Sequence, residues 1–226
     1  LFDAPLEIED GWADMRLKLS PFSFEIGQAV LMHDGHRFEV SAAIGATREE
    51  WDLAVDLHVP EMDVDELRKV WPRPVSANAR RWVFERVSAG DIRDVHLGLR
   101  GPSLNKAEVL IGGEISGAVA QVLPTLPAIE QASGYLSLAH GELVISADAG
   151  GMPSPAGGVV DLSGSSFTIA DVRQRPGQGL ADMVLSGPLT AGFGLLDLPP
   201  LNEFSSTDFG VDVATGLFAA KSSARF

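Results

Sequence analysis

The residues of this chain that could do chemistry are its five histidines and several pairs of carboxylates. The segment from His33 to His36 has the HxxH spacing found in some metal sites. An Asp-Gly pair lies between the two histidines, however, and such a pair between apolar segments is typical of a tight β-turn. The remaining histidines fall on the polar side of alternating segments or at a turn: His58, His96 and His140. We therefore predict no metal site.

Two carboxylate pairs each share one face of a predicted strand: Asp52 with Asp56 and Asp208 with Asp212. Such pairs catalyse acid–base reactions only when burial or a neighbouring charge displaces one pKa. Here they alternate with apolar residues as ordinary exposed positions do. The chain also lacks the GxSxG, HExxH, GxxxxGK[ST] and GxGxxG motifs, and it has no cysteine. The sequence thus predicts a non-enzymatic protein without a cofactor.

The charge balance excludes one class of partner and singles out one segment. A net charge of −14 disfavours binding along a nucleic-acid backbone, which requires clustered cations. Positive residues are nevertheless concentrated between Arg68 and Lys106, where they could contact anionic lipid headgroups or an acidic neighbouring domain. They could equally pair with carboxylates on a solvated helix face. The candidate headgroup or partner contacts are Arg68, Lys69, Arg73, Arg80, Arg81 and Arg86.

The elements that position these residues are predicted mainly from strand-like alternation. Apolar and polar residues alternate in Ala13–Leu19, Phe22–Ile26, Trp51–Val59 and Val95–Leu99, as half-buried strands require. The alternation supplies candidate residues for an apolar groove: Met15, Leu17, Phe22, Phe24, Leu53, Val55, Leu57, Leu97 and Leu99. The same residues could fill the core of an ordinary β-sandwich, and the alternation does not distinguish the two.

Two short helices are predicted between the strands, in an insertion at about residues 61–90. Asp63 with Glu66 forms a capping arrangement before a helix that Pro72 ends. Ser76 is the predicted N-cap of a second helix that extends to Val87, with Gly90 closing the segment.

Beyond Gly101 the pattern predicts more antiparallel strands, separated by breaks at Ala149–Gly158 and Arg175–Gly179, with Leu123–Ala132 as a connector or short helix. The predicted strands are Glu108–Ile115, Ser133–Leu138, Glu142–Ala147, Gly158–Ser163, Ser166–Val172, Ala181–Gly187 and Asp208–Ala214. The fold class is therefore mainly β, with an antiparallel, curved groove-like or sandwich-like sheet and a short helical insertion. We divide it into a segment 1–101, which holds the insertion, and a segment 102–226 of the same extended sheet.

Two sequence blocks carry a resemblance to a known family. The first is WPRPVSANARRWVFERVSAGDIRDVHLGLRG, from Trp71 to Gly101. The second comprises LPAIEQASGYLSLAHGELVISADAG, from Leu126 to Gly150, and VDLSGSSFTIADV, from Val160 to Val172. Together they resemble the domain of unknown function in AsmA-like envelope proteins of the YhdP type, which belong to a repeating β-groove superfamily.

The resemblance implies a periplasmic location within a parent protein anchored in the inner membrane, and a part in moving phospholipid toward the outer membrane. It offers no catalytic residues. The chain begins at Leu1 without a signal-like segment and has no run of about 18 apolar residues. We therefore expect an internal segment whose membrane anchor lies outside these residues.

The first functional hypothesis is a segment of a lipid conduit, whose partners are phospholipid acyl chains and the flanking segments of the same protein. The alternative is a structural or interaction module of the envelope with a closed core and no lipid ligand. A hydrolase with an unrecognised site is a third and less favoured reading.

Overall fold

The computed structural model describes residues 3, 5–46, 50–73, 75–103, 106–199, 201–203 and 215–225. Within them the chain forms one 12-stranded antiparallel sheet in the order β1-β2-β3-β4-β5-β6-β7-β8-β10-β11-β12, with the short β9 pairing with β8 and β11. The strands are β1 (Asp10–Leu19), β2 (Phe22–His33), β3 (His36–Ala46), β4 (Trp51–Asp63), β5 (Val87–Gly101), β6 (Glu108–Ala120), β7 (Ile129–Ala139), β8 (Glu142–Pro153), β9 (Val159–Asp161), β10 (Ser166–Ile169), β11 (Gly179–Pro188) and β12 (Leu217–Arg225). The predicted fold class is confirmed, and the strands lie in a single sheet rather than in two stacked sheets.

The β2–β3 hairpin forms where the Asp-Gly pair predicts it. His33 pairs with His36, and Asp34 and Gly35 form the two-residue turn with φ angles of 47° and 78°. Positive φ at both central positions is the geometry that matches the right-handed twist of the flanking strands. The turn reading of the HxxH segment is therefore confirmed.

Three helices lie at one end of the sheet, which we call the helical end. They are α1 (Val64–Val70), α2 (Ala77–Arg86) and α3 (Leu189–Leu196). Because neighbouring strands are antiparallel, the β4–β5 connection that contains α1 and α2 and the β11–β12 connection that contains α3 leave the sheet at the same end. The opposite end, where β1 passes into β2 and β4 begins, is called the loop end.

The first helix begins as the sequence predicts. The Asp63 carboxylate accepts a hydrogen bond of 2.7 Å from the Glu66 backbone N–H, and α1 ends at Val70, before Pro72. This cap satisfies one of the backbone donors that a helix start leaves without an intrahelical partner. The capping prediction at Asp63 is confirmed.

The second helix differs from the prediction at both ends. Ser76 precedes α2 in a left-handed conformation, and its side chain makes no capping hydrogen bond. The helix ends at Arg86, and Gly90 lies inside β5. The helical insertion is therefore 64–86, shorter than predicted, because β4 continues to Asp63 and β5 begins at Val87.

The second half of the sheet corrects two further predictions. The predicted break at Ala149–Gly158 begins too early, since β8 continues to Pro153. Two glycines permit this extension: a Cβ at Gly150 would lie 3.2 Å from the Ala132 Cα, and one at Gly151 would lie 2.5 Å from a Val159 methyl.

Within the predicted connector 123–132, β7 already begins at Ile129. The helix α3 and the strand β12 were not predicted. The predicted strand Asp208–Ala214, with the carboxylate pair that it contains, lies outside the described residues.

The proposed boundary after Gly101 falls between β5 and β6, which pair along most of their length. The division into two segments stays a prediction.

The apolar core is small for a chain of this size. Among the described residues only nine apolar side chains are buried, and several of them, including Val59, Met62 and Val64, lie where β4 passes into α1. The accessible surface is 13892 Å² for 24.0 kDa, whereas a compact monomer of that mass exposes about 9,900 Å². Among the described residues, one side of the sheet is therefore not enclosed by a second layer of usual extent. No described helix is both long and apolar enough to cross a bilayer.

Candidate functional site

Apolar side chains form continuous rows across the sheet. Leu17 lies opposite Phe24, Phe24 opposite Ile44, and Ile44 opposite Leu53. Residues directly opposite each other in a ladder project to the same side of the sheet. One row of large apolar side chains therefore crosses β1 to β4.

A second row runs parallel to the first, two residues further along each strand. It contains Met15, Ile26, Ala42, Val55 and Leu99 in neighbouring strands. Because side chains two residues apart share one side of a strand, this row faces the same way as the first. A β-bulge in the β1–β2 ladder, between Asp14 and Met15, shifts the pairing so that Met15 lies opposite Ile26 in this row.

A third row extends the surface across most of the sheet. Its members in successive strands from β3 to β10 are Val40, Leu57, Leu97, Ile111, Leu138, Leu143 and Ile169. We call these three rows, with Leu19, Phe22 and Trp51 at the loop end, the apolar face. All nine residues predicted to line a groove lie on it, and the register places them together. Their contact with lipid stays a prediction.

The opposite side of the sheet is mainly polar across β2 to β5, although the exposed Trp12 in β1, Leu110 in β6 and Tyr135 in β7 also project from it. Arg100 binds the carboxylate of Asp56 at 2.6 Å, and Arg16 lies 3.5 Å from Glu25 on the same side. Asp56, of the carboxylate pair considered above, is thus held in an exposed cross-strand ion pair. The two sides of this one sheet therefore present different chemistry.

Exposure on the apolar face is greatest in the edge strand β1, which is exposed throughout, whereas residues of the same rows in inner strands are half-buried. Val59, close to α1, has no exposed surface, and Val55 and Leu57 are half-buried. In β1 the exposed fractions are 61% for Met15 and 59% for Leu17. Leu19, Phe22 and Trp51 lie at the loop end, with Leu19 79% and Trp51 56% exposed and the Phe22 and Trp51 rings packed edge to face at 5.7 Å. Large exposed apolar side chains grouped in this way mark a binding surface.

The two outer strands leave the sheet open at its edges. In the part of the chain that the structure describes, β1 pairs only with β2 and β12 only with β11. An unpaired edge presents backbone donors and acceptors that another strand can bind. Each edge is therefore a possible continuation point of the sheet.

Two of the predicted headgroup contacts instead form ion pairs at the helical end. The Lys69 ammonium lies 2.5 Å from an Asp34 carboxylate oxygen and 3.2 Å from a Glu66 oxygen, and these contacts raise the pKa of Lys69. Arg68 binds Asp65 at 2.6 Å. The carboxylates thus neutralise both cations.

Two further predicted contacts converge on one carboxylate near the start of the chain. Arg73 lies 2.5 Å from Asp3, and Arg80 also binds Asp3 while its guanidinium stacks on the Phe84 ring at 4.1 Å. The hydrogen bond from Arg73 is the main reason why the pKa of Asp3 is lowered. Both arginines therefore hold Asp3 against the helical insertion.

The last two predicted headgroup contacts, Arg81 and Arg86, differ from the other four. Arg81 binds the side-chain amide of Asn78 at 3.0 Å, and Arg86 ends α2. Within the described residues neither side chain forms an ion pair with a carboxylate, so these two remain the more available cations of the set.

The histidines of the HxxH segment contact the backbone rather than each other. His33 Nδ1 donates to the Glu7 carbonyl at 2.7 Å, and His36 Nδ1 donates to the Glu61 carbonyl at 3.1 Å. His33 Nε2 lies 3.5 Å from the Glu66 carboxylate, which is only 2% exposed and is also approached by Lys69. The Lys69 ammonium is therefore already the positively charged partner of the Glu66 carboxylate in this cluster.

A second histidine pair was not singled out by the sequence. His58 and His96 lie directly opposite each other in β4 and β5 on the polar side of the sheet, and their rings stack at 4.3 Å and 11°. Both Nε2 atoms lie 3.0 Å from Asp94 Oδ1. These hydrogen bonds, that from His58 first, lower the pKa of Asp94. The alternation places each histidine on the polar side, but only the register across the helical insertion brings them together.

Comparison with known proteins provides no independent identification. No protein-family model, curated protein or solved structure matches the chain.

Proposed function

We propose that this chain is a non-enzymatic segment of an AsmA-like envelope protein, forming part of a hydrophobic groove for phospholipid. The observation that carries the proposal is the apolar face, whose rows continue across neighbouring strands while the opposite side of β3 to β5 is polar. Contact with acyl chains would remove this face from water. Each 100 Å² of apolar surface covered in this way contributes about 2.5 kcal/mol.

The exposed apolar side chains of the edge strand β1 support an open groove over a closed core. Met15, Leu17 and Leu19 are each more than half exposed, although they belong to the same rows as the half-buried residues of β4 and β5. In this proposal the acyl chains lie along the rows, and phospholipid headgroups stay in water. Arg81 and Arg86 would meet an anionic headgroup, because Arg68, Lys69, Arg73 and Arg80 are already paired with carboxylates.

The unpaired edges at β1 and β12 suit continuation of the sheet by flanking segments of the same protein. The periplasmic location and the anchor in the inner membrane follow from the family resemblance alone. Both the location and the anchor are therefore parts of this proposal.

The decisive experiment compares two neighbouring residues on opposite sides of one strand. Val55 lies in the second apolar row, whereas Ala54 lies on the polar side opposite Arg100. Val55→Asp places a carboxylate among apolar side chains, and Ala54→Asp places the same carboxylate beside a guanidinium. The protein and both variants are incubated with vesicles containing an acyl-labelled phospholipid, separated by gel filtration, and extracted for lipid mass spectrometry.

We expect the unmodified chain and Ala54→Asp to retain phospholipid, and Val55→Asp to retain at least about tenfold less, because a charge in an apolar surface disfavours acyl contact. Circular dichroism confirms that both variants are folded. Absence of phospholipid from the unmodified chain, or equal retention by folded Val55→Asp, would contradict the proposal.

The second candidate function is a structural or interaction module of the envelope without a lipid ligand. The exposed strand edges favour it, because they can bind another strand whether or not the apolar face binds lipid. Self-association measured by light scattering, together with no lipid retention, would support this alternative.

A further inference from the structure

The polar side of the sheet holds a cluster whose geometry the lipid proposal does not use. His58 Nε2 and His96 Nε2 both lie 3.0 Å from the same oxygen of Asp94. Ligand atoms around a tetrahedral Zn²⁺ with bonds near 2.0 Å are about 3.3 Å apart. Each nitrogen is therefore nearly as far from the carboxylate oxygen as two ligands of one metal are from each other, and all three ligand atoms lie within 4.8 Å of one another.

The backbone holds the three residues in this arrangement. His58 and His96 are opposite partners in the β4–β5 ladder, so their separation is set by the sheet. Asp94 has a φ of 49°, in the left-handed region that residues with a Cβ seldom adopt, and the β5–β6 register shifts between Arg93 and His96. This local irregularity directs the Asp94 carboxylate to both imidazoles.

A neighbouring carboxylate, that of Glu39, lies beside the second ring nitrogen of His58. Glu39 Oε2 lies 3.5 Å from His58 Nδ1, and Arg37 binds Glu39 at 2.7 Å. Histidine ligands of metals usually donate their second ring N–H to a carboxylate or carbonyl, which fixes the ring and leaves the other nitrogen available for the metal. His58 is arranged in this way.

We propose that His58, Asp94 and His96 bind a divalent transition-metal ion, with Zn²⁺ as the chemically best matched ion. Two imidazoles and one carboxylate suit Zn²⁺. The stacked rings must open for their lone pairs to converge on one ion, and His96 can rotate because 62% of its side chain is exposed.

Three protein ligands leave one coordination position for water or an added ligand. A shallow trough of about 580 Å³ adjoins the histidines on the same side, lined among others by Ser41, Asp56 and Gly98. A ligand in that trough would reach the open position of the ion. The site differs from the sequence prediction of no metal, and it is independent of whether the apolar face binds lipid.

Isothermal titration calorimetry with Zn²⁺ alone tests the proposal on the metal-free chain. We expect saturable 1:1 binding of micromolar or tighter affinity, weakened at least about 100-fold by His96→Ala and by Asp94→Asn. The matched control is His140→Ala, because His140 is a highly exposed histidine paired only loosely with Glu108 at 3.6 Å. Its affinity should equal that of the unmodified chain.

No saturable binding, or binding that folded His96→Ala and Asp94→Asn leave unchanged, would overturn the proposal. Circular dichroism of each variant separates loss of the site from loss of the fold.

Discussion

Whether the apolar face is open or enclosed can be read from the free energy of unfolding of two variants. Val59 and Leu17 both lie on the apolar side of the sheet, but Val59 is 0% exposed and Leu17 is 59% exposed. Val59→Ala removes two carbons from a fully packed position near α1. Leu17→Ala removes three carbons from a side chain that is mostly in water. In a closed core the larger deletion would be the more destabilising.

The exposed fractions of the two side chains predict the opposite order, with Val59→Ala more destabilising than Leu17→Ala. For Val59→Ala the lost transfer free energy and the cavity left behind amount to about 1.5–3 kcal/mol. For Leu17→Ala the loss is about 1 kcal/mol or less, because less than half of the surface is buried and water fills the vacated space.

Urea denaturation followed by circular dichroism measures both values, with the m-value unchanged if each variant still unfolds in one step. The half-buried Val55 provides an intermediate check, since Val55→Ala should fall between the two. A cost for Leu17→Ala equal to or above that for Val59→Ala would refute the open face, because it would require Leu17 to be enclosed in solution.

Two further predictions concern the local structure that supports this face. Asp63→Ala should destabilise the protein by about 1 kcal/mol because it removes the α1 cap, whereas Ser76→Ala, which removes no capping bond, should leave the urea midpoint almost unchanged. Gly134→Ala should cost about 1–3 kcal/mol or prevent folding, because its Cβ would lie 1.8 Å from the Ser146 carbonyl oxygen. Gly45→Ala is the control, since its Cβ would meet no atom closer than 4.0 Å, and thermal melts of the pair should differ clearly. Equal melting of the two glycine variants would contradict the close β7–β8 approach.

The local elements were predictable from the sequence where one short-range interaction determines them. The Asp-Gly turn after His33 and the Asp63 cap each depend on residues a few positions apart, and both form as predicted. The alternation also assigns the nine groove candidates correctly to one side, because the side-chain period of a strand is fixed at two residues.

The elements that were missed depend on distant contacts. Two glycines in α3 lower its intrinsic helix propensity, yet each lies where a Cβ would collide, Gly192 with the Phe218 ring at 2.8 Å and Gly194 with Ser154 at 2.4 Å. Close packing against β12 and the β8–β9 loop therefore stabilises a helix that the local pattern disfavours. The His58–His96 pair was missed for a similar reason, since the helical insertion separates the two strands in sequence and only their register brings the rings together.

The strand order has a consequence for how the chain folds. Almost every strand pairs with the one before it in sequence, so most ladders close short loops and the sheet has few long-range crossings. Such local topology lowers the loop-closure entropy that must be overcome before pairing, which favours fast folding for a β protein. It also permits strand-by-strand growth during synthesis from the N-terminal side, with each new hairpin using the previous strand as its template. Only the short β9, which bridges β8 and β11, departs from this sequential order.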